Sequence, residues 1–150
     1  AYDETLVTEL LQLLVAAKAD YTKAFRLLSA IPDHVAELHP SFYLPSSEDL
    51  DQRWQTWLQR WRERITANGN LEETSAAMQR VNPAITWREW LIAPAYQQAE
   101  QGDNSLVLEL QTLFSTPYSA PSAELAACYD QLRPQQFFSA GGISHYSCSS

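Results

Sequence analysis

The sequence predicts an all-α protein, an irregular array of about six or seven helices with a flexible C-terminal tail. Three observations carry that expectation. Apolar residues recur at steps of three and four, Ser, Asp or Asn stands where such runs begin, and Pro or Gly stands where they end. No run alternates apolar and polar residues as a half-buried strand would.

Residues 4 to 17 contain no Gly or Pro and many strong helix formers, so they form a first helix, apolar over a wide face. Asp20 is placed to cap a second helix through Phe25, Leu27 and Leu28, which Pro32 closes by withholding a backbone donor. We expect these two to pack as a hairpin. Residues 32 to 47 hold three of the eight prolines and two histidines and read as an ordered loop with one short helical turn.

Ser47 followed by Glu48 and Asp49 marks the next start, with acidic side chains where the macrodipole favours them. Leu50, Trp54, Trp57, Leu58, Trp61 and Ile65 then form one stripe, which must face a core. Asn68-Gly69-Asn70 breaks that helix, and a shorter one follows over residues 71 to 80 before Asn82-Pro83. Thr86 and Glu89 have capping-box spacing for a helix through Trp90, Leu91 and Tyr96 to Gly102, bent or shortened by Pro94. Asp103 or Asn104 can cap the helix carrying Leu106, Val107, Leu110, Leu113 and Phe114, and the two should run antiparallel. A last short helix fits residues 123 to 132. Residues 135–150 have little repeating apolar pattern with which to anchor themselves, so we divide the chain into a helical region, 1–134, and a tail, 135–150.

Composition narrows the function. With 45% hydrophobic and 19% charged residues the chain can offset its ordering entropy by burial. Its net charge of -8 comes without any cluster of Lys or Arg, which disfavours nucleic acid and anionic membrane surfaces as partners. No apolar stretch approaches a bilayer span and the first residues lack a basic secretory n-region, so a cytoplasmic location is expected. The single Met, at position 78, fits a piece of a longer chain and equally fits removal of Met ahead of Ala1.

Few residues suggest chemistry. The four glycines, Gly69, Gly102, Gly141 and Gly142, make no phosphate-cradling loop, and no His-Arg-Asp or Asp-Phe-Gly sequence supplies a catalytic Asp or a magnesium ligand. We therefore expect no catalytic, cofactor-binding or metal residue in this chain. His34 and His39 lie five apart, off a common helical face, and read as loop histidines. Glu48, Asp49 and Asp51, like Glu72 and Glu73, are explained by their places at helix starts. Trp54, Trp57 and Trp61 offer rings that can stack on a ligand but have core spacing, and Arg88 reads as a helix residue paired with a carboxylate.

Of the two cysteines, Cys128 sits between Ala127 and Tyr129 in a helix and is expected to be a small buried residue. Cys148 lies in the polar tail, where a thiol stays accessible, with His145 three residues before it to favour a thiolate. Neither belongs to a Cys-x-x-Cys or zinc spacing.

Several ordered segments resemble the selenoprotein O family. They are Asp20-Tyr21-Thr22 with Phe25-Arg26 and Leu28-Ser29; Trp57-Leu58-x-x-Trp61-x-x-Arg64; Asn82-Pro83, Arg88, Ala99-Glu100-x-Gly102-Asp103, Leu110, Leu113 and Pro117-Tyr118; and the terminal Ser147-Cys148-Ser149-Ser150. The resemblance implies a parent enzyme with a protein kinase-like fold that binds ATP in an inverted orientation. That enzyme uses Mg or Mn to transfer AMP to hydroxyl side chains of proteins, and its active residues lie upstream of Ala1.

The resemblance makes this chain the C-terminal helical part, with the kinase-like core of the parent chain and the parent's protein substrates as partners. It also puts Cys148 in the selenocysteine position, which implies a redox or regulatory role. Glu89 stands where the family usually has Asn, and Trp87 where an aliphatic residue is usual, so Arg88 receives no specific role. The alternative reading is a self-contained helical module that binds a separate protein through an exposed apolar face.

Overall fold

A computed structural model describes residues 2–138 of the chain. Among them are seven α-helices and three single 3-10 turns, with no strand beyond an isolated bridge between Ala19 and Phe42, so the all-α expectation holds. The helices fall into two compact units that meet in sequence between Pro83 and Ala84.

The first unit contains α1 (Tyr2–Ala16), α2 (Tyr21–Leu28), α3 (Glu48–Thr66) and α4 (Leu71–Val81). The starts of α2, α3 and α4 are each fixed by a side chain that gives an orphan amide an acceptor. Asp20 accepts from the Lys23 amide at 2.9 Å, Ser47 from that of Leu50 at 3.2 Å, and Asn70 from that of Glu72 at 2.8 Å. At the end of α1 the amides of Lys18 and Ala19 return to the carbonyls of Val15 and Leu14, a Schellman closure that places Lys18 at φ 46°.

The expected hairpin of α1 with α2 gives way to a different pairing. The main partner of α1 is α3, and the two run antiparallel: Asp3 pairs with Arg64 at 2.7 Å and Glu9 with Arg60 at 2.6 Å. Leu6, Leu10, Leu13, Leu14 and Ala17 of α1 pack on Trp54, Trp57 and Leu58 of α3, with Ala24, Leu28, Leu38 and Phe42 completing the core. The tryptophan stripe therefore faces inward, and Trp54 and Trp57 meet edge to face with centroids 5.9 Å apart. The loop between α2 and α3 holds two 3-10 turns, Val35–Glu37 and His39–Ser41, one more than expected.

The second unit contains α5 (Glu89–Glu100), α6 (Ser105–Phe114) and α7 (Ala123–Tyr129). Trp87, just before α5, stacks on Phe114 at the end of α6 with centroids 4.6 Å apart, as an antiparallel pair requires. Between them Gly102 takes φ 89°, and the amide of Asp103 reaches back to the carbonyl of Gln98, the left-handed helix end the sequence predicts at this glycine.

Thr86 does not cap α5. The helix opens at Glu89 from an extended Arg88, whose carbonyl accepts from the amides of Leu91 and Ile92. Pro94 removes one donor inside α5, yet the helix continues to Glu100. The amides of Ala84 and Ile85 both donate to the carbonyl of Pro117, fastening the start of the unit to the turn after α6. Ile85, Leu91, Ala95 and Leu110 are its buried apolar residues.

Candidate functional site

Arg26 and Ser29 meet α4 and Asn82 at the end of α2, and Asp20 caps its start. Asp20, buried at the start of α2, accepts from the Lys23 amide and from the Tyr43 hydroxyl at 3.4 Å, while its own amide donates to Ser41 at 2.7 Å. Arg26 donates to the carbonyls of Gln79 at 3.1 Å and Asn82 at 3.0 Å, a guanidinium set against the negative end of α4. Ser29 is fully buried; its hydroxyl donates to Phe25 and accepts from the Asn82 amide at 2.9 Å, while its carbonyl accepts from Ser75 at 2.7 Å. Each polar group in this cluster meets a protein partner, as burial demands. What the cluster does is join two helices.

Trp57 and Arg64 behave alike. The Trp57 indole donates from Nε1 to the Leu6 carbonyl at 2.9 Å, and Arg64 holds Asp3 through Nε and Nη2 at 2.7 and 3.0 Å. The Arg64 hydrogen bond holds the Asp3 carboxyl below the usual carboxylate range.

The other candidates stay apart. Glu37 accepts from the amides of Asp33 and His34 at 3.0 Å, and His39 meets Asp51 at 2.9 Å on the other side of the turn. Desolvation opposes ionisation of Asp51, but hydrogen bonds from Ser46 and His39 prevail and lower its pKa. Glu72 and Glu73 sit in the first turn of α4. No three His, Cys, Asp or Glu side chains among the described residues converge on a point where a metal ion could be held.

An open groove of about 480 Å³ between α1 and α3 is lined by Glu9, Gln12, Asp49, Gln52, Arg53 and Arg60. Its lining hydroxyl, that of Thr56, donates to the Gln52 carbonyl at 2.9 Å, and its Arg60 is committed to Glu9.

Cys128 corrects the sequence reading: it is exposed on α7, because Leu125, Ala126 and Tyr129 form the half-buried face of that helix and Cys128 lies off it with Glu124 and Ala127. Its neighbour Tyr129 donates to Glu109 at 2.8 Å, and burial, reinforced by that carboxylate, pushes the phenol up to about 12. Cys148 and His145 lie outside the described residues. Sequence reasoning missed Arg62, which pairs with Asp33 at 2.7 Å and donates to the carbonyl of Ile31, a residue in the left-handed region at φ 54°. A lone Arg on the polar side of α3 gave no signal of that contact.

The family described as protein adenylyltransferase SelO matches residues 1–115 of the chain. The chain belongs to that family. A protein nucleotidyltransferase YdiU of Xanthomonas oryzae pv. oryzae (strain PXO99A) is 35% identical over 157 aligned positions, which take in 99% of this chain and 29% of that protein. One of the same name from Myxococcus xanthus (strain DK1622) is 36% identical over 81% of this chain and 25% of its own length. The chain thus spans less than a third of these SelO-family relatives. Asp20, Arg26, Ser29, Trp57, Arg64 and Asn82 all fall within the matched span, and the hydrogen bonds above give each of them a role in packing.

Proposed function

We propose that this chain is the C-terminal helical part of a protein adenylyltransferase that transfers AMP from ATP to Ser, Thr or Tyr hydroxyls of proteins. In this reading it supports the catalytic part without performing the transfer itself. One observation carries the reading: 99% of the chain aligns with 29% of a relative named as a protein nucleotidyltransferase, while the distinctive polar residues are spent on holding helices together. ATP and a divalent metal, Mg or Mn, then belong to the remainder of the enzyme, as do contacts with protein substrates. The kinase-like core is the partner of this region.

The length of the relatives, more than three times the span they share with this chain, favours this reading over a self-contained interaction module. The reading keeps 1–134 as the helical region and 135–150 as a tail whose Cys148 tunes activity by forming a disulfide with a cysteine of the core. It places the enzyme in the cytoplasm; no helix among the described residues is long and apolar enough to cross a membrane.

The test is AMP transfer by the full-length enzyme, with and without Cys148→Ser, after equilibration in reducing and oxidising thiol buffers. Transfer that depends on the buffer in the native enzyme and not in the variant supports both parts. Absence of AMP transfer under every condition refutes the activity, and equal redox dependence in both refutes the role of Cys148.

A further inference from the structure

The first helix is apolar on two sides, and the first unit uses only one. Leu6, Leu10, Leu13, Leu14 and Ala17 face the core, whereas Val7, Leu11 and Val15 follow one another at steps of four along another side and are 56%, 47% and 77% exposed. Between Thr5 and Ala17 the only charged residue is Glu9, and it is held by Arg60. The partner helix α3 differs: its exposed positions include Glu48, Asp49, Arg53 and Glu63. A solvated helix in a chain of net charge -8 has no physical reason to keep an uncharged stripe of Val and Leu over more than two turns.

We infer that the Val7, Leu11 and Val15 face of α1 is the seat of an apolar surface from the additional polypeptide that the longer SelO-family relatives carry. This rests on the reading of the chain as part of a larger enzyme. Two facts choose the occupant. The relatives devote 71% of their length, the complement of the 29% aligned here, to polypeptide that has no counterpart in this chain. The stripe lacks charge, so it fits the permanent interior of one polypeptide better than a transient partner, whose interface would resemble ordinary surface.

The experiment is hydroxyl-radical footprinting of the full-length protein, with size measured by light scattering on the same sample. Val15 is compared with Val81, a residue of the same type that is 70% exposed on α4. Each rate is normalised to its value in the denatured protein. The inference expects Val15 to be labelled several-fold more slowly than Val81 in the monomer. Equal rates would overturn it, and so would protection of Val15 that disappears on dilution from dimer to monomer, since the occupant would then be a second copy.

As a second readout, Leu11→Glu with Val15→Glu should lower the Tm of the full-length protein, while Gln12→Glu, on the same helix beside the stripe, should not. An unchanged Tm in the double variant counts against the docking. AMP transfer measured on the same sample reports separately on the parent activity, so an active enzyme with a bare stripe would sink only the docking.

Discussion

The Asn82 side chain donates from Nδ2 to Ser29 Oγ at 2.9 Å, tying the end of α4 to the end of α2 across 53 positions of sequence. Because Ser29 is fully buried, its hydroxyl cannot turn to water if Asn82 is removed. Asn82→Ala and Ser29→Ala should each destabilise the fold by about 1–3 kcal/mol. The double variant should fall short of their sum by at least about 0.5 kcal/mol. Chemical denaturation of the four proteins measures the coupling, and strict additivity would show that the contact contributes nothing.

Two buried tryptophans on α3 differ in one hydrogen bond. Trp57 donates to Leu6, whereas Trp54 Nε1 is buried without an acceptor. Replacement by Phe removes similar volume from both, so Trp57→Phe should cost about 1 kcal/mol more than Trp54→Phe. Urea midpoints at constant slope decide this; an equal or reversed order would mean that the indole contact to α1 has no net value.

Lys18 is exposed and holds φ 46° in the Schellman turn after α1. A side chain in that region costs roughly 1–2 kcal/mol, of which glycine's greater freedom in the unfolded chain takes back a part. Lys18→Gly should therefore raise stability by about 0.5–1 kcal/mol. A lower melting temperature would show that the lysine makes a compensating contact.

Asp51 titrates below 3.8 in the folded state because the hydrogen bonds from Ser46 and His39 outweigh its desolvation. A depressed carboxyl stabilises the fold above its unfolded pKa and loses that contribution as pH falls through the folded value. Asp51→Asn should thus melt below the native protein near neutrality, with the difference closing as pH drops well under 3.8. A difference that stays constant with pH would assign the loss to something other than the charge.

How much of this was legible in the sequence depends on the range of the interaction. Local signals read correctly: the Ser47 and Asp20 caps, the breaks at Asn70 and Gly102, and the inward stripe of Trp54, Trp57 and Leu58. Each is decided within one or two helical turns. Which helix α1 would choose was not legible, because its wide apolar face fits α2 and α3 equally until Arg60 and Arg64 find Glu9 and Asp3. Left-handed Lys18 and Ile31 carry no mark that composition could reveal, unlike Gly102.

Exposure of Cys128 depends on which face of α7 packs inward, which a seven-residue helix is too short to show as a pattern, and helix ends are the least determined part of any pattern. The Thr86 box failed for the same reason: Arg88 occupies the cap position, so Glu89 became the first helical residue. For the candidate site, the residues that mark the family were visible, yet their work as ties between helices appeared only when Arg26 and Ser29 were seen beside Asn82.

The proposed function turns on where the transfer chemistry resides. Incubating the 150-residue chain and the full-length enzyme in parallel with labelled ATP, Mg or Mn and a protein acceptor tests this most directly. Label should pass to protein only in the full-length reaction; stoichiometric AMP transfer by the short chain alone would contradict the account.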